Sequence, residues 1–192
     1  MIHLIGAGGH GKVVIDAWLA AGGERADLRI RDGRDALAGQ TLMGCPVSAP
    51  EIDGTLAGAR VHVAVGDNRV RAALLSDARA VGAVPVTVVH PHASVSAFAT
   101  IGDGSFIGAG AVVGPDTVLG AGVIVCAGAV VDHDCRLGDH AFIGPGAVVG
   151  PRLSIGARAA VKTGVVVTRD LQADEIRPTP SPPPPAAGLH TA

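Results

Sequence analysis

Aliphatic side chains recur at every sixth position through the second half of the chain. They fill fourteen consecutive repeat positions, namely Val89, Val95, Ile101, Ile107, Val113, Leu119, Val125, Val131, Leu137, Ile143, Val149, Ile155, Val161 and Val167. Four positions after most of them the side chain is small, as at Ala93, Ala99, Ser105, Ala111 and Thr117. Six-residue repeats of this kind predict a parallel β-helix over residues 85–170, in which three short strands form each triangular coil.

The segment before the repeats, residues 1–84, lacks this period and predicts a separate α/β domain. An apolar strand at MIHLI is followed by a glycine turn and by a helix from about Gly11 to Ala21. Further strands are predicted at DLRIRD, ARVHVAV and VPVTVV, and a second helix at NRVRAALLSDARAVG. Strands that alternate with helices indicate a parallel sheet. A third zone, residues 171–192, is rich in proline, which has no N–H to give a sheet, so we expect a largely disordered tail.

Composition and charge exclude several classes of protein. The net charge is −2, from 15 basic and 17 acidic residues, which does not fit a nucleic-acid binder. Hydrophobic residues make up 48% of the chain, but no apolar run approaches the roughly 18 residues of a membrane span, so we expect no membrane insertion. The three cysteines have no metal-site spacing, and we expect reduced thiols in a cytoplasmic protein.

The stretch GAGGHG, between the first strand and the first helix, has the spacing of a phosphate-binding glycine loop. Such glycines let backbone N–H groups approach a diphosphate at a helix N-terminus. A full dinucleotide domain needs two halves, so a domain of this length indicates a mononucleotide or a nucleotide sugar. The candidate ligand residues of this domain are Gly8, Gly9, His10, Gly11, Asp32, Gly66, Asp67 and Asn68.

The polar candidates differ in how strongly they indicate a ligand. Asp32 follows the second predicted strand, where a carboxylate can hold a ribose hydroxyl or a base edge. Asp67 and Asn68 end the third strand on the same edge of the sheet, but both fit helix capping equally well. His10 lies inside the loop, where ligand contact is favoured over a purely structural histidine.

The β-helix repeat changes its polar partner at one place. A glycine follows most of the aliphatic repeat residues, but Cys126 and Asp132 replace it in two successive repeats, and His133 and Asp134 come next. A histidine beside a carboxylate has the chemistry of a general base. The alternative is a turn histidine in solvent.

Four segments, GAGGHGKVV, GDN, VVHPHASVSAFATIGDG and VVDHDC, together resemble one family. It comprises bacterial sugar O-/N-acetyltransferases, including sialic-acid O-acetyltransferases and UDP-4-amino-sugar N-acetyltransferases, and the resemblance covers residues 1 to about 170. It implies a Rossmann-like domain followed by a left-handed β-helix, a homotrimer, and acetyl-CoA bound between neighbouring β-helices, with no metal. It also implies that His133 is the general base and that Asp134 orients its ring.

Two positions depart from that family's pattern. The family commonly has a second histidine half a coil after the base, on the CoA side; here that position is Phe142, and the nearest histidine is His140. A glycine often lies one full coil after the base, where its N–H can serve the oxyanion; here Pro151 follows Gly150 at that point. These four residues are the candidate cofactor-binding set.

The sequence thus predicts an acetyl-CoA-dependent acetyltransferase for a nucleotide-linked sugar, in surface-glycan biosynthesis. The glycine loop favours a UDP-type amino sugar, and therefore N-acetylation over O-acetylation. One alternative is a catalytically degenerate nucleotide-sugar-binding or scaffold protein, which Phe142 and Pro151 would fit. Another is a zinc enzyme of the carbonic-anhydrase type, which needs three histidines at a subunit interface, whereas only His133 and His140 lie mid-helix.

Overall fold

The computed structural model describes residues 1–179 and begins with an α/β domain built on a six-stranded sheet. The strand order is β3-β4-β2-β1-β5-β6, and all neighbours are parallel except the β3–β4 pair. The elements are β1 Ile2–Ile5, α1 Gly9–Ala20, β2 Leu28–Arg31, β3 Thr41–Leu42, β4 Cys45–Ser48, β5 Arg60–Val63, α2 Asn68–Ala80 and β6 Val84–Pro85. Short 3-10 turns lie at Arg25–Asp27, Asp35–Leu37 and Gly54–Leu56. The predicted parallel sheet is confirmed, but the β3–β4 hairpin was not anticipated.

The second part of the chain is a β-helix of very short strands. Most strands pair with the strand one full coil further along the chain, so that Phe106 pairs with Ile124 and Ile124 with Phe142. The strands are β7 Val88–Val89, β8 Ser94–Val95, β9 Thr100–Ile101, β10 Phe106–Ile107, β11 Val112–Val113, β12 Val118–Leu119, β13 Ile124–Val125, β14 Val130–Val131, β15 Arg136–Leu137, β16 Phe142–Ile143, β17 Val148–Val149, β18 Ser154–Ile155, β19 Ala160–Val161, β20 Val166–Val167 and β21 Ile176–Arg177. The six-residue repeat therefore predicted this architecture correctly.

Three sheets form the three faces of the prism. The first face contains β7, β10, β13, β16, β19 and β21; the second contains β8, β11, β14, β17 and β20; the third contains β9, β12, β15 and β18. The repeat residues from Ile107 to Val167 fill the interior and are almost completely buried. Glycine follows them because successive coils stack closely: a Cβ on Gly114 would lie 2.7 Å from the backbone nitrogen of His133 in the next coil.

The last coil is shorter than the others and closes the prism. Ile155 bridges to Leu171, and Ala160 pairs with Ile176, so both partners come earlier in the chain than a full coil of three repeats would place them. Leu171 is only 3% exposed and covers the end of the core. Regular pairing therefore continues to Arg177, past the predicted boundary at residue 170. The part of the expected disordered tail at residues 180–192 lies outside the described residues.

The α/β domain packs on the first face of the β-helix. Phe106 and Ile124 of this face join one buried cluster with Ile2 and Leu4 of β1 and with Val14 of α1. The contact also has a polar part at the corner before the first face, which we call the docking corner (Gly122, His140 and Arg158). Among residues 1–179, no helix has the length and apolar character needed to cross a membrane.

Arg71, a buried arginine that sequence reasoning missed, binds the α/β domain to the β-helix at the docking corner. Arg71 of α2 is 1% exposed. Its guanidinium donates to the carbonyl oxygens of Gly122 at 2.8 Å and His140 at 2.7 Å, one from each of two stacked coils. It also donates to the carbonyl oxygens of Val65 and Gly66 in its own domain. The two domains are therefore held in one relative position by directional bonds as well as by apolar packing.

Candidate active site

His133 lies at the corner between β14 and β15, which we call the His133 corner (Pro115, His133 and Pro151). Its Nδ1 atom is 2.7 Å from a carboxylate oxygen of Asp134, and the two side chains are 39% and 52% exposed. Asp134 has a φ of 60°, a left-handed conformation found at successive corners of this β-helix. The corner thus directs both side chains outward, away from the prism interior.

The backbone of His133 is held on both sides. Its N–H donates to a carboxylate oxygen of Asp132 at 2.7 Å, and its carbonyl accepts the N–H of Arg152 at 2.9 Å. The Asp132 carbonyl in turn accepts the hydroxyl of Thr117 at 2.6 Å. With Asp134 on Nδ1, the imidazole presents the lone pair of Nε2 to the outside, which is the arrangement of a general base. Replacing the repeat glycine by Asp132 therefore adds a bond that fixes the histidine.

The segment of the next coil that stacks on His133 offers no free N–H group to an oxyanion. Pro151 occupies the stacked position and has no N–H. The N–H of Gly150 donates to the Val167 carbonyl at 3.0 Å, and that of Arg152 donates to the His133 carbonyl. Within the described residues, the expected position thus carries no donor, and its two neighbours are already used.

The glycine loop divides into two structural and two open positions. Gly6 has a φ of 113°, and a Cβ on Gly11 would lie 2.6 Å from the Gly6 carbonyl oxygen, so both are required for the turn. Gly8 and Gly9 are exposed, and a Cβ on either would meet no atom within 4 Å. The N-terminus of α1 begins there without a side-chain cap. Open backbone at a helix N-terminus suits an anionic group such as a diphosphate.

Asp32 connects this loop to the segment after β2. One carboxylate oxygen accepts the N–H of Ala7 at 2.8 Å, and the guanidinium of Arg34 contacts both oxygens at 2.7 and 2.8 Å. The hydrogen bonds from Arg34 hold the pKa of Asp32 well below its usual range. Asp32 therefore stays ionised, and its oxygens are already occupied by these partners.

His10 lies at the seam between the domains. Its ring meets that of Phe106 edge-on, with 5.1 Å between the centroids. Burial lowers the pKa of His10 to about 3, helped by the nearby His62 and Arg71, and its Nε2 atom is buried without a hydrogen-bond partner within residues 1–179. His62, which sequence reasoning missed, is also buried; its Nδ1 lies 2.9 Å from the Val86 carbonyl oxygen, and burial lowers its pKa to about 4.

The side chains of the GDN segment, Asp67 and Asn68, make structural hydrogen bonds. Asp67 caps α2 by accepting the N–H groups of Arg69 at 2.9 Å and Val70 at 3.0 Å. Asn68 donates to the carbonyl of Arg158 at 2.7 Å and accepts from Arg71. The capping alternative therefore describes Asp67, while Asn68 joins α2 to the docking corner.

Of the four candidate cofactor residues, two lie on the side of the α/β domain. His140 belongs to the docking corner, and burial lowers its pKa. Phe142 lies on the first face, with the ammonium of Lys162 5.9 Å from its ring centroid. Together with Gly66, Asp67, Arg158, Lys162 and Asp174, Phe142 lines a cavity of about 480 Å³, which we call the seam cavity. Gly150 and Pro151, by contrast, lie at the His133 corner.

Comparison with known proteins places this architecture in a family. The family described as the PglD N-terminal domain matches residues 1–78, and the bacterial transferase hexapeptide family matches residues 98–133 and 134–169. A histidine variant of perosamine N-acetyltransferase from Caulobacter crescentus, in complex with CoA and GDP-perosamine, is 32% identical over 91% of each chain, with a TM-score of 0.80. This chain belongs to the bacterial hexapeptide-repeat sugar acetyltransferases.

Other members of the sugar acetyltransferase family share the whole fold. The acetyltransferase domain of PglB from Neisseria gonorrhoeae, in complex with acetyl coenzyme A, is 30% identical over 91% of this chain and 94% of that domain, with a TM-score of 0.72. WeeI from Acinetobacter baumannii is 26% identical over 92% and 95% of the two chains, with a TM-score of 0.71. No curated protein sequence matches the chain.

Within this sugar acetyltransferase fold, the histidine and the glycine loop lie on opposite sides of one chain. The His133 corner joins the second face to the third, so it lies opposite the first face, on which the α/β domain packs. His140 is at a different corner from His133, so these two histidines of the β-helix do not come together as ligands of one metal site within a protomer. Residues 1–179 contain no group of three or more His, Cys, Asp or Glu side chains that could hold a metal ion.

Proposed function

We propose that this protein is an acetyl-CoA-dependent N-acetyltransferase for a nucleotide-linked amino sugar in surface-glycan biosynthesis. The observation that carries the proposal is the outward His133–Asp134 pair on a hexapeptide β-helix that is joined to an open glycine loop. The relative bound to CoA and GDP-perosamine is an N-acetyltransferase, which favours an amine over a hydroxyl as the acceptor.

The chemistry assigned to this chain is proton removal and substrate positioning. Acetyl-CoA supplies the activated acyl group. His133 Nε2 accepts a proton from the sugar amine as the new bond to the acetyl carbon forms, and the C–S bond breaks to release the CoA thiolate. Asp134 keeps the proton of the imidazole on Nδ1 and stabilises the imidazolium that forms. Gly8 and Gly9 hold the diphosphate at the N-terminus of α1.

Because His133 lies opposite the glycine loop, we place each active site between two copies of the chain. One copy contributes the glycine loop, and its neighbour contributes His133. The second face, next to the His133 corner, carries a valine stripe that a neighbour would cover; Val112 and Val166 are exposed, and Val130 and Val148 between them are half-buried. A closed ring of three copies gives every loop a partner histidine, as cyclic symmetry requires.

Mixing two inactive variants tests this shared site. His133→Ala removes the base, and Gly9→Val blocks the loop with a branched side chain. If sites are shared, co-expression in equal amounts should restore about a quarter of wild-type activity, since random trimers pair an intact loop with an intact histidine at that frequency. Each variant alone, purified in parallel, is the control. A mixture as inactive as its components, although both variants fold and mix, would contradict the shared site.

A second candidate function, a nucleotide-sugar-binding protein without turnover, rests on one observation. The N–H donor expected beside His133 is absent at Pro151, and the N–H groups of Gly150 and Arg152 are already used. One oxyanion donor is typically worth about 10² to 10³ in rate. Thiol release from acetyl-CoA in the presence of nucleotide amino sugars separates the two candidates, because a binding protein would take up the sugar without releasing thiol.

A further inference from the structure

A cleft of about 200 Å³ lies at the carboxyl ends of the parallel strands in the α/β domain. It is lined by Gly6 after β1, by Asp32, Gly33 and Arg34 after β2, by Glu51 after β4, and by Val65 after β5. Val70 and Leu74 of α2 add apolar surface. Ligands of open parallel sheets bind outside the carboxyl ends of the strands, where the strand order reverses. Here that point is β1, which has β2 on one side and β5 on the other.

Two carboxylates line this cleft, and they differ in what they can offer. Asp32 is bonded to Ala7 and Arg34. Glu51 is partly buried, and its carboxylate takes part in none of the hydrogen bonds or ion pairs found within residues 1–179. Its oxygens lie against Gly33, where an added Cβ would overlap them. Glu51 is therefore the carboxylate that can accept hydrogen bonds from a ligand.

The segment that carries Glu51 is fixed on both sides by Arg31. This arginine is 6% exposed. It donates to the Pro50 carbonyl at 3.0 Å and to the carboxylate of Asp53 at 2.6 Å. The backbone on both sides of Glu51 is therefore fixed, and a preorganised segment loses little conformational freedom on binding.

We propose that this cleft holds a nucleobase and that Glu51 selects guanine. Guanine carries two adjacent donors, N1–H and the N2 amino group, which match the two oxygens of a carboxylate. Uracil carries one N–H between two carbonyl oxygens. Those oxygens would lie next to the carboxylate with no proton between them, and the acceptors would repel each other. Charge-assisted bidentate bonds are strong and geometrically selective. Val65, Val70 and Leu74 contact the ring, and the guanidinium of Arg34, held by Asp32, stacks on its face.

This inference rests on the proposed function and gives its substrate class: a GDP-linked sugar, in place of the UDP-type sugar expected from the glycine loop. It follows from Glu51 and Gly33, neither of which belongs to the motif that pointed to a nucleotide. The GDP-perosamine bound to the relative from Caulobacter crescentus has the same base.

Calorimetric titration of the full chain with GDP, IDP and UDP tests the assignment. IDP lacks only the N2 amino group, so we expect it to bind about tenfold more weakly than GDP, and UDP to bind more weakly still. Glu51→Gln should weaken GDP binding by about tenfold or more, since an amide offers one donor and one acceptor where guanine needs two acceptors. The preference for GDP over UDP should therefore become smaller. Glu24→Gln, at an exposed position outside the cleft, is the matched control and should change nothing.

Two results would overturn the assignment. One is a wild-type protein that binds GDP, IDP and UDP equally well. The other is a Glu51→Gln variant that weakens GDP and UDP by the same factor, which would place Glu51 on the ribose or the diphosphate. If Glu51→Gln does not fold, the three-nucleotide series on the wild type decides alone. No acetyl transfer is involved, so a clear GDP preference without thiol release would contradict the acetyltransferase proposal and leave the base assignment standing.

Discussion

Removing the guanidinium of Arg71 tests how the two domains are held together. Arg71→Met keeps an unbranched apolar stem of similar length and deletes every hydrogen bond. The carbonyls of Gly122 and His140 then lose their donor at the docking corner. Both belong to the seam, where water cannot easily replace the lost donor, so the cost falls on the folded state.

The magnitude follows from those contacts. A hydrogen bond from a charged donor contributes about 1.5–3 kcal/mol, and two of them join the domains. Burial works in the opposite direction and lowers the pKa of Arg71 to about 10, a sign that the charge is costly to bury. Breaking a buried charged network by deleting one partner typically costs about 3–5 kcal/mol. For a chain of this length, that corresponds to a fall in Tm of roughly 6–20 °C.

Thermal unfolding followed by circular dichroism measures the effect. Arg79→Met, an exposed arginine on the same helix, is the matched control and should shift the Tm by less than about 2 °C. Arg71→Lys should recover little, because a single ammonium cannot span two coils as the planar fork does. An Arg71→Met protein as stable as the wild type, or an equal loss for Arg79→Met, would refute the role given to Arg71.

Three further predictions concern the site and its surroundings. His133→Ala should lower kcat by about 10² to 10⁴ while nucleotide binding and Tm stay unchanged; retention of more than about a third of the activity, read as thiol release, would remove His133 as the base. Pro151→Gly adds an N–H at the stacked position and should raise kcat about tenfold or more if the oxyanion lies there; an unchanged kcat would place the oxyanion elsewhere. His62 has a folded pKa of about 4, below its ordinary value, so the folded protein binds fewer protons than the unfolded one between those pH values. The contribution of His62 should therefore be lost as the pH falls from about 6.5 towards 4, by roughly 2 kcal/mol at pH 5. His10, whose pKa is lowered to about 3, adds a loss of the same sign, so His62→Gln should reduce the pH dependence of Tm without abolishing it.

The β-helix was predictable because its sequence rule is local and strict. Each sixth side chain must point inward, and a residue such as Gly114 is required where the next coil comes close. Because the glycine rule is so regular, its loss at Asp132 drew attention to His133, the next residue. The β3–β4 hairpin was missed because its turn places Met43, a residue with no turn preference, at a φ of 50°. The shortened last coil was missed because Leu171 fills the core from a position outside the six-residue period.

Residues whose surroundings are distant in the sequence could not be assigned from the sequence alone. Arg71 looks like an ordinary polar position of a helix, and only the folded structure shows its partners at Gly122 and His140. His10 sits in a loop motif, but packing on Phe106 places its ring at the seam. Glu51 belongs to no motif and becomes a candidate only because the ends of β1, β2 and β4 meet around it.

The central claim is tested most directly by incubating the protein with acetyl-CoA and a GDP- or UDP-linked amino sugar, and following free thiol together with the mass of the sugar. We predict that thiol release matches the gain of one acetyl group on the sugar amine, and that His133→Ala, which still binds the nucleotide sugar, shows neither. A folded wild-type protein that binds nucleotide sugars but releases no thiol with any of them would contradict the account, as would full activity in the His133→Ala variant.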